Sequence, residues 1–309
     1  MQTRHTEHVI TVPDPADSVY NLIADAERWP VIFTPTVHVE YLSPSVGEEQ
    51  RLRISAFAGR DVKSWVSHRS LSREKRRVSF RQTQPVAPVT SMRGEWKVIP
   101  VDEKSSKVIF SHWFTAEHDS KDILDTIEEI VDYNSRAELD SLHKASGRSH
   151  LVVDFEDEVR IGAEQAKIFE FLADAQKWPT LIPHVARVAL TEDHGIQTLE
   201  MDTFNNADTT GESGAHTTSS VRVLLPPSRI AYKQTTLPPF LTAHVGSWDV
   251  REDGTAVAKH TIVLDEESIL SMLGPQATVE KAAGIVRQSI GGNSMATLRR
   301  ARELIGADQ

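Results

Sequence analysis

Three side chains with complementary chemistry occur close together in the segment from Lys63 to Arg69. Trp65, Ser67 and Arg69 are spaced two residues apart. Because side chains alternate between the two faces of a β-strand, this spacing predicts that all three point the same way. An aromatic ring provides a rigid wall, a hydroxyl can relay a proton, and a guanidinium stabilises negative charge that forms on an oxygen. The segment therefore predicts a polar site suited to reactions through an enolate or alkoxide.

Simpler interpretations of this segment stay open. One is a solvent-exposed face with Trp65 present by chance, and another is that Ser67 bonds only to the main chain. An ordinary core face would be aliphatic, because burying an unpaired arginine is unfavourable. Two further tryptophans, Trp29 and Trp96, and the polar run Asn134–Arg136 in a predicted helix favour a site.

A pattern that occurs twice surrounds these residues. Val19–Pro30 reads VYNLIADAERWP, and Ile168–Pro179 reads IFEFLADAQKWP. Further matches follow in the same order, namely Arg81 with Lys233, Gly94–Trp96 with Gly246–Trp248, His112 with His260, and Asn134–Ser135 with Asn293–Ser294. A repeat this long indicates two complete domains, because solenoid repeats run at only about 20–50 residues. We place the domains at residues 1–147 and 150–309.

Each half has the same predicted order of elements. In the first half, an alternating strand at 5–12 precedes two short helices, six alternating runs fill 36–117, and a long helix covers 120–144. This order predicts an α+β fold in which a curved antiparallel sheet wraps around its C-terminal helix. A single helix cannot fill the concave face of such a sheet, so we expect an apolar cavity between them.

Composition narrows the classes of partner. The net charge of −10 over 309 residues argues against nucleic acid, and no apolar run approaches the roughly 18 residues of a membrane span. There is no cysteine for a disulfide or a thiolate zinc site, and the 13 histidines show no close ligand pairing. The start of the chain lacks the apolar stretch of a secretory signal. We therefore expect a cytoplasmic protein without a metal, a membrane partner or a nucleic-acid partner.

One segment carries the opposite charge to the rest of the chain. Arg51–Arg81 contains ten basic and two acidic residues. Such a run is commonly a solvated hairpin turn, and the alternative is a docking surface for an acidic partner. The cations grouped at the predicted turn are Arg73, Lys75, Arg76 and Arg77.

Together these motifs resemble the two-domain aromatase/cyclases of bacterial type II polyketide synthases, in the Bet v 1/START-like helix-grip superfamily. The motifs are Asp25–Pro30, Trp65–Arg69, Arg81, Gly94–Trp96 and Asn134–Arg136. The resemblance spans the whole chain and implies two tandem helix-grip domains. It also implies an enzyme that takes a linear poly-β-ketone from the acyl carrier protein of a minimal polyketide synthase. The enzyme would direct regiospecific aldol closure of the first ring and its dehydration to an aromatic ring, with no cofactor.

The resemblance also implies roles for individual residues. Ser67, Arg69 and Arg81 would be catalytic, and the substrate-binding residues would be Trp29, Trp65, Trp96, Asn134 and Arg136. An acidic carrier protein would dock beside the N-terminal cavity on Arg73, Lys75, Arg76 and Arg77. Thr36 departs from the family, because single-domain relatives have a tyrosine there, so a mechanism that needs this phenol is in doubt.

The two halves are expected to differ. When Trp96 is aligned with Trp248, Arg69 meets Val221 and Trp65 meets Thr217, so the second pocket loses its guanidinium and its tryptophan. Arg222 then faces away from the pocket, unless a one-residue bulge shifts the strand. We therefore expect ring closure in the first half, and a supporting role or a later dehydration in the second.

Other functions of the same fold remain as alternatives. Helix-grip proteins also carry lipids and other hydrophobic molecules without transforming them, and some are coenzyme-Q-binding or stress-type proteins. A carrier predicts an aliphatic cavity with few buried charges, which Arg69 and Arg81 argue against. His112 and His260 occupy matching places in both halves, and this favours a structural role for them.

Overall fold

The computed structural model describes residues 2–43, 47–204 and 215–306. The chain divides into two compact units, Met1–Ser149 and His150–Gln309. Within the described residues, no helix is long and apolar enough to cross a membrane.

The N-terminal unit is a seven-stranded antiparallel sheet in the order β1-β7-β6-β5-β4-β3-β2. Two short helices follow the first strand, and one long helix closes the unit. The elements are β1 Arg4–Val12, α1 Ala16–Ala24, α2 Trp29–Ile32, β2 Thr36–Tyr41, β3 Glu49–Ala58, β4 Asp61–Ser72, β5 Arg77–Gln84, β6 Val89–Pro100, β7 Ser106–Ala116 and α3 Lys121–Ala145.

The C-terminal unit repeats this plan with the sheet order β8-β14-β13-β12-β11-β10-β9. Its elements are β8 Val152–Arg160, α4 Gln165–Ala173, α5 Trp178–Leu181, β9 Val185–Asp193, β10 Ile196–Phe204, β11 Ala215–Leu225, β12 Arg229–Thr236, β13 Leu241–Val250, β14 Thr255–Leu264, α6 Glu266–Leu273 and α7 Val279–Ile305. Helix α6 is an addition to the plan. The predicted α+β fold of two helix-grip domains is confirmed.

Helix α3 shows why a cavity forms. Ser120 caps its first turn by accepting a hydrogen bond from the main-chain N–H of Ile123. Near its start, Leu124 and Ile127 pack with Met92 and Phe114, and near its end Leu139 and Leu142 pack with Val19, Ile23 and Trp96. Burying one such aliphatic side chain contributes about 1.5–3 kcal/mol. Because the two apolar clusters lie at opposite ends of α3, the space between the middle of the helix and the sheet stays open.

Candidate active sites

The cavity of the N-terminal unit has a volume of about 310 Å³ and lies between the sheet and α3. The structure brings six of the sequence-predicted site residues onto its wall, namely Trp29, Trp65, Ser67, Arg69, Trp96 and Asn134. Trp96 stacks between Phe110, with ring centroids 3.5 Å apart, and Phe33 at 5.8 Å. The wall is therefore a rigid aromatic surface with a few polar groups.

The cavity has an open and a closed end. Its exposed lining residues are Ala87 and Pro88, between β5 and β6, and Thr126 on α3. Ala58, next to the turn between β3 and β4, lines the same end. At the other end, the lining residues are buried beneath α1 and α2. We call the exposed end the mouth and the buried end the floor.

Arg69 lies at the floor and is only 1% exposed. Its Nε donates to Gln50 Oε1 at 2.6 Å, and its two terminal nitrogens donate to the main-chain carbonyls of Ile23 and Ala24. Those carbonyls end helix α1 and lack intrahelical partners, so the arginine caps the helix. The guanidinium also lies 5.0 Å from the ring centre of Trp29.

The electrostatic setting of Arg69 is unusual. Burial lowers its pKa, while the Tyr41 hydroxyl and the Asp25 carboxylate act in the opposite direction. Three acceptors of the guanidinium are amide oxygens, and a further hydrogen-bond partner is the Tyr41 hydroxyl; none of these groups carries a negative charge. A fixed positive charge in an aromatic cavity can stabilise an enolate or alkoxide without reorganising.

Ser67 bonds to the main chain, which was the alternative to a role as a proton relay. It is buried, and its Oγ donates to the main-chain carbonyl of Arg81 at 3.2 Å. The hydroxyl hydrogen is therefore used within the sheet. Toward the cavity, Ser67 can accept a hydrogen bond, and this limits it as a proton relay.

Glu138 is a cavity residue that the sequence analysis missed. It lies one helical turn after Asn134 on α3 and lines the cavity. Burial raises the pKa of its carboxyl to about 8, so it is mainly protonated at neutral pH. Glu138 lies on the same face of α3 as the buried Val131, and an acid on an apolar helix face could have indicated its role from the sequence. A neutral carboxylic acid can donate a proton where a carboxylate cannot.

Several polar atoms of the cavity wall have no hydrogen-bond partner among the residues that the structure describes. They are Asn134 Oδ1, Ser135 Oγ and His112 Nδ1. The amide of Asn134 is fixed, because its Nδ2 donates to the main-chain carbonyl of Phe57 at 2.7 Å. Burial lowers the pKa of His112 to about 3, so its imidazole is neutral. Unpaired buried polar atoms around a cavity suit a ligand with several oxygens.

The placement of Arg81 and Arg136 in the cavity is wrong. In β5, Phe80 and Gln82 line the cavity, so Arg81 points to the opposite face of the sheet, where it is exposed. Arg136 is exposed because it lies on the solvent side of α3, away from Asn134. Thr36 does line the cavity, so this position of the wall has a hydroxyl and not a phenol.

The basic turn lies at the closed end of the cavity, and its role as a docking surface for a carrier protein stays a prediction. Strand β4 runs from Asp61 near the mouth to Ser72, and the turn follows it. Here Arg76 pairs with Asp17 at 2.6 Å, Arg77 pairs with Glu95, and Arg73 Nη2 donates to Asn21. All four of Arg73, Lys75, Arg76 and Arg77 are solvent-accessible to some degree.

The C-terminal unit has its own cavity, of about 380 Å³, and it does contain a guanidinium. Thr218, Ser220 and Arg222 alternate along β11 and line the cavity. Arg222 pairs with Tyr232 as Arg69 pairs with Phe80, because the turn before β12, Pro226–Ser228, has three residues and the turn before β5, Arg73–Arg76, has four. Arg222 is 2% exposed, lies 5.4 Å from the ring centre of Trp178 and donates to the main-chain carbonyl of Leu172. The expectation that the second pocket loses its arginine is therefore wrong.

Arg222 is held by fewer partners than Arg69. Its Nε and Nη1 have no partner within the described part of the chain. Burial lowers its pKa to about 10, so it remains charged at neutral pH. In that same part of the chain, no group of three or more His, Asp or Glu side chains is arranged to hold a metal ion.

Comparison with known proteins gives one consistent result. The family model described as "Polyketide cyclase / dehydrase and lipid transport" matches twice, at residues 3–147 and 152–300. The granaticin polyketide synthase bifunctional cyclase/dehydratase of Streptomyces violaceoruber is 36% identical over 307 residues, which cover 96% of this chain and 93% of the relative. The actinorhodin polyketide synthase bifunctional cyclase/dehydratase of Streptomyces coelicolor is 36% identical over 314 residues, which cover 97% and 96%.

Two solved structures extend the similarity to both units. The di-domain ARO/CYC BexL from the BE-7585A biosynthetic pathway superposes with a TM-score of 0.87 and 40% identity, and the match covers 99% of this chain and 100% of that structure. The di-domain ARO/CYC StfQ from the steffimycin biosynthetic pathway gives a TM-score of 0.80 and 31% identity, over 97% and 98%.

Proposed function

The chain belongs to the polyketide cyclase/dehydrase family, and we propose that it is an aromatase/cyclase that acts on a poly-β-ketone. It directs aldol closure of the first ring and promotes dehydration of that ring to an aromatic product. The names of its relatives favour an enzyme over a non-catalytic carrier of hydrophobic ligands. The buried arginines favour the same choice, because a carrier of apolar molecules gains nothing from them.

The observation that carries the proposal is Arg69, whose charge is fixed at the floor of an aromatic cavity. Aldol closure needs a methylene carbon to lose a proton and attack a ketone, whose oxygen then becomes an alkoxide. We assign charge stabilisation to Arg69, proton uptake from the methylene to neutral His112, and proton donation to the alkoxide to protonated Glu138. These transfers balance when His112 passes its proton back to Glu138 through water or product.

Regiospecificity follows from the shape of the wall. A poly-β-ketone has several acidic methylenes, so the enzyme must select which carbon meets which carbonyl. Trp29, Trp65 and the stacked Trp96 provide flat, rigid surfaces for a chain of alternating ketones. We propose that the unpaired Asn134 Oδ1 and Ser135 Oγ contact enol hydroxyls and fix the register of the chain.

Arg69→Ala tests this proposal, with Arg81→Ala as the matched control. Both substitutions remove a strand arginine, and Arg81 lies on the opposite face of the sheet. Each full-length variant is incubated with a minimal polyketide synthase, and the products are identified by mass spectrometry and NMR. We expect Arg69→Ala to lower the correctly closed ring by about 10²–10³-fold and Arg81→Ala to resemble the wild type. Equal behaviour of the two variants would contradict the proposal.

We also propose that the substrate arrives on an acyl carrier protein of the synthase, at the mouth of the N-terminal cavity. Arg60 is exposed in the turn between β3 and β4, and Lys63 lines the mouth. An acidic carrier would be attracted to these two cations, although the chain as a whole is acidic. Because it works on a synthase-bound substrate, we place the enzyme with the synthase in the cytoplasm.

A further inference from the structure

We propose that the C-terminal cavity is a second catalytic site, in which Tyr232, His244, His260 and Arg222 dehydrate a cyclic β-hydroxy ketone. The proposal takes its substrate class from the proposed function of the protein. It assigns the second of the two reactions to residues outside the N-terminal cavity.

Three of these residues converge on one point of the cavity wall. The Tyr232 hydroxyl lies 2.8 Å from His260 Nδ1 and 3.5 Å from His244 Nε2, and the two imidazole nitrogens are 3.2 Å apart. All three side chains line the C-terminal cavity. Groups that exchange protons in catalysis need heavy-atom distances in this range.

The outer atoms of the two imidazoles are held by further side chains. His244 Nδ1 lies 2.8 Å from Gln234 Oε1, and His260 Nε2 lies 3.1 Å from Ser294 Oγ. A carbonyl oxygen only accepts hydrogen bonds, so His244 carries its hydrogen on Nδ1 and its Nε2 is a proton acceptor. Gln234 and Ser294 are therefore positioning residues.

The cluster depends on a glycine that both halves share. Gly246 lies between Tyr232 and His260, because it pairs with each of them across neighbouring strands. A methyl group on Gly246 would meet Cζ of the Tyr232 ring at 2.6 Å. Only a residue without a side chain lets the phenol cross the middle strand and reach the histidine.

Burial keeps the cluster neutral in the resting protein. It lowers the pKa of His244 to about 3 and that of His260 to about 4, and it raises the pKa of Tyr232. Each imidazole therefore keeps one unprotonated nitrogen at neutral pH, and the tyrosine keeps its hydrogen. The charge of Arg222 is in the same cavity, with Nε and Nη1 unpartnered among the residues described.

The N-terminal cavity lacks this arrangement. Phe80 occupies the position of Tyr232, since it pairs with Gly94 as Tyr232 pairs with Gly246. Met92, two residues before Gly94, stands where the second unit has His244. Of the three clustered groups, only His260 has a counterpart in the first unit, which is His112. At this cluster, the first unit therefore lacks the phenol and the second imidazole that we assign to dehydration.

The chemistry balances without any other reactant. Arg222 stabilises the ketone oxygen as it becomes an enolate, while His244 Nε2 accepts the proton of the carbon between ketone and carbinol. The carbon–oxygen bond of the carbinol then breaks, a carbon–carbon double bond forms, and Tyr232 gives its proton to the departing hydroxide to make water. The imidazolium returns its proton to the phenolate across 3.5 Å, and both residues are restored.

Tyr232→Phe and His244→Met test the proposal, because they install the residues of the first unit. The controls are Tyr133→Phe and His194→Met, which make the same substitutions at exposed positions. Each full-length variant is incubated with the minimal synthase, and circular dichroism verifies that it is folded. We expect the two test variants to accumulate a ring-closed product one water heavier than the aromatic one, with aromatisation about 10²-fold slower. The control variants should give the wild-type product.

The outcomes separate this proposal from the proposed function. If folded Tyr232→Phe and His244→Met both give aromatic product at the wild-type rate, the second site is refuted, while the Arg69→Ala result still decides ring closure. If either folded variant loses ring closure together with dehydration, the division of labour between the cavities is also refuted. If Arg69→Ala closes the ring normally, the proposed function of the first cavity fails, whatever the C-terminal variants do.

Discussion

Arg69 and Arg222 occupy the same position in the two units. Each guanidinium lies over the tryptophan of a Trp-Pro helix, Trp29 or Trp178, at 5.0 Å and 5.4 Å from the ring centre. Each also donates to a carbonyl at the end of the preceding helix, Ala24 or Leu172. The duplication therefore kept a buried positive charge in both cavities, which is costly unless each cavity uses it.

Glu138 should make the stability of the protein depend on pH. Burial raises the pKa of its carboxyl from 4.5 to about 8. As pH rises from about 5 to 8, the unfolded chain loses this proton while the folded protein keeps it, so the free energy of unfolding falls. In Glu138→Gln, the decrease in the free energy of unfolding that this carboxyl causes between pH 5 and pH 8 should disappear. Urea denaturation at pH 5 and pH 8 measures the effect.

Glu129→Gln is the control for this measurement, because Glu129 is exposed on the same helix. It should show the same loss of stability between pH 5 and pH 8 as the wild type. If Glu138→Gln also matches the wild type, the Glu138 carboxyl ionises normally, and its assigned role as a proton donor is withdrawn.

Gly246→Ala should destabilise the protein, because the added methyl group collides with the Tyr232 ring and with the main-chain oxygen of Lys259. Overpacking of this kind typically costs about 1–3 kcal/mol. Gly292→Ala in α7 meets no atom within 4 Å and should instead stabilise by about 0.5–1 kcal/mol. Thermal and urea unfolding of both variants provide the comparison. A neutral Gly246→Ala would show that the phenol does not need this space.

Charge reversal should distinguish the two ends of the N-terminal cavity. Arg60→Glu with Lys63→Glu places acids at the mouth, and Arg73→Glu with Lys75→Glu places them at the closed end. We expect the mouth variant to bind carrier protein several-fold more weakly at low salt. The difference should shrink at 1 M salt, where the Debye length falls to about 3 Å. Surface plasmon resonance at two ionic strengths measures both variants.

The closed-end variant is the matched control and should bind nearly as the wild type does. Weaker binding of that variant alone would favour the basic turn at Arg73–Arg77 as the docking surface. If both variants bind normally, electrostatic attraction does not guide the carrier to this unit.

The duplication, the order of the elements and one face of the first site could be predicted from the amino-acid sequence. Val19–Pro30 and Ile168–Pro179 share apolar spacing and the Trp-Pro pair, and each folds into the same two short helices. Trp65, Ser67 and Arg69 share a face of β4 because alternation along a strand is a local property. Patterns of this kind depend only on neighbours along the chain.

The faces of β5 and β11 that meet the helices depend on turn length and on packing across the sheet, which the local pattern does not reveal. The turn before β12 is one residue shorter than the turn before β5, so Arg222 rather than Val221 takes the place of Arg69 and faces the cavity. In β5, Phe80 and Gln82 face the cavity, so Arg81 between them must face away. Alternation alone does not say which of the two sets of side chains faces the helix, because packing across the sheet decides this.

The polar cluster of the second cavity could not be predicted from the sequence. Tyr232, His244 and His260 come from three different strands, and Ser294 comes from the last helix. Their contact depends on the register of β12, β13 and β14 and on the gap at Gly246. Long-range strand pairing, which is fixed by burial of the whole sheet rather than by any local pattern, brings these four side chains together.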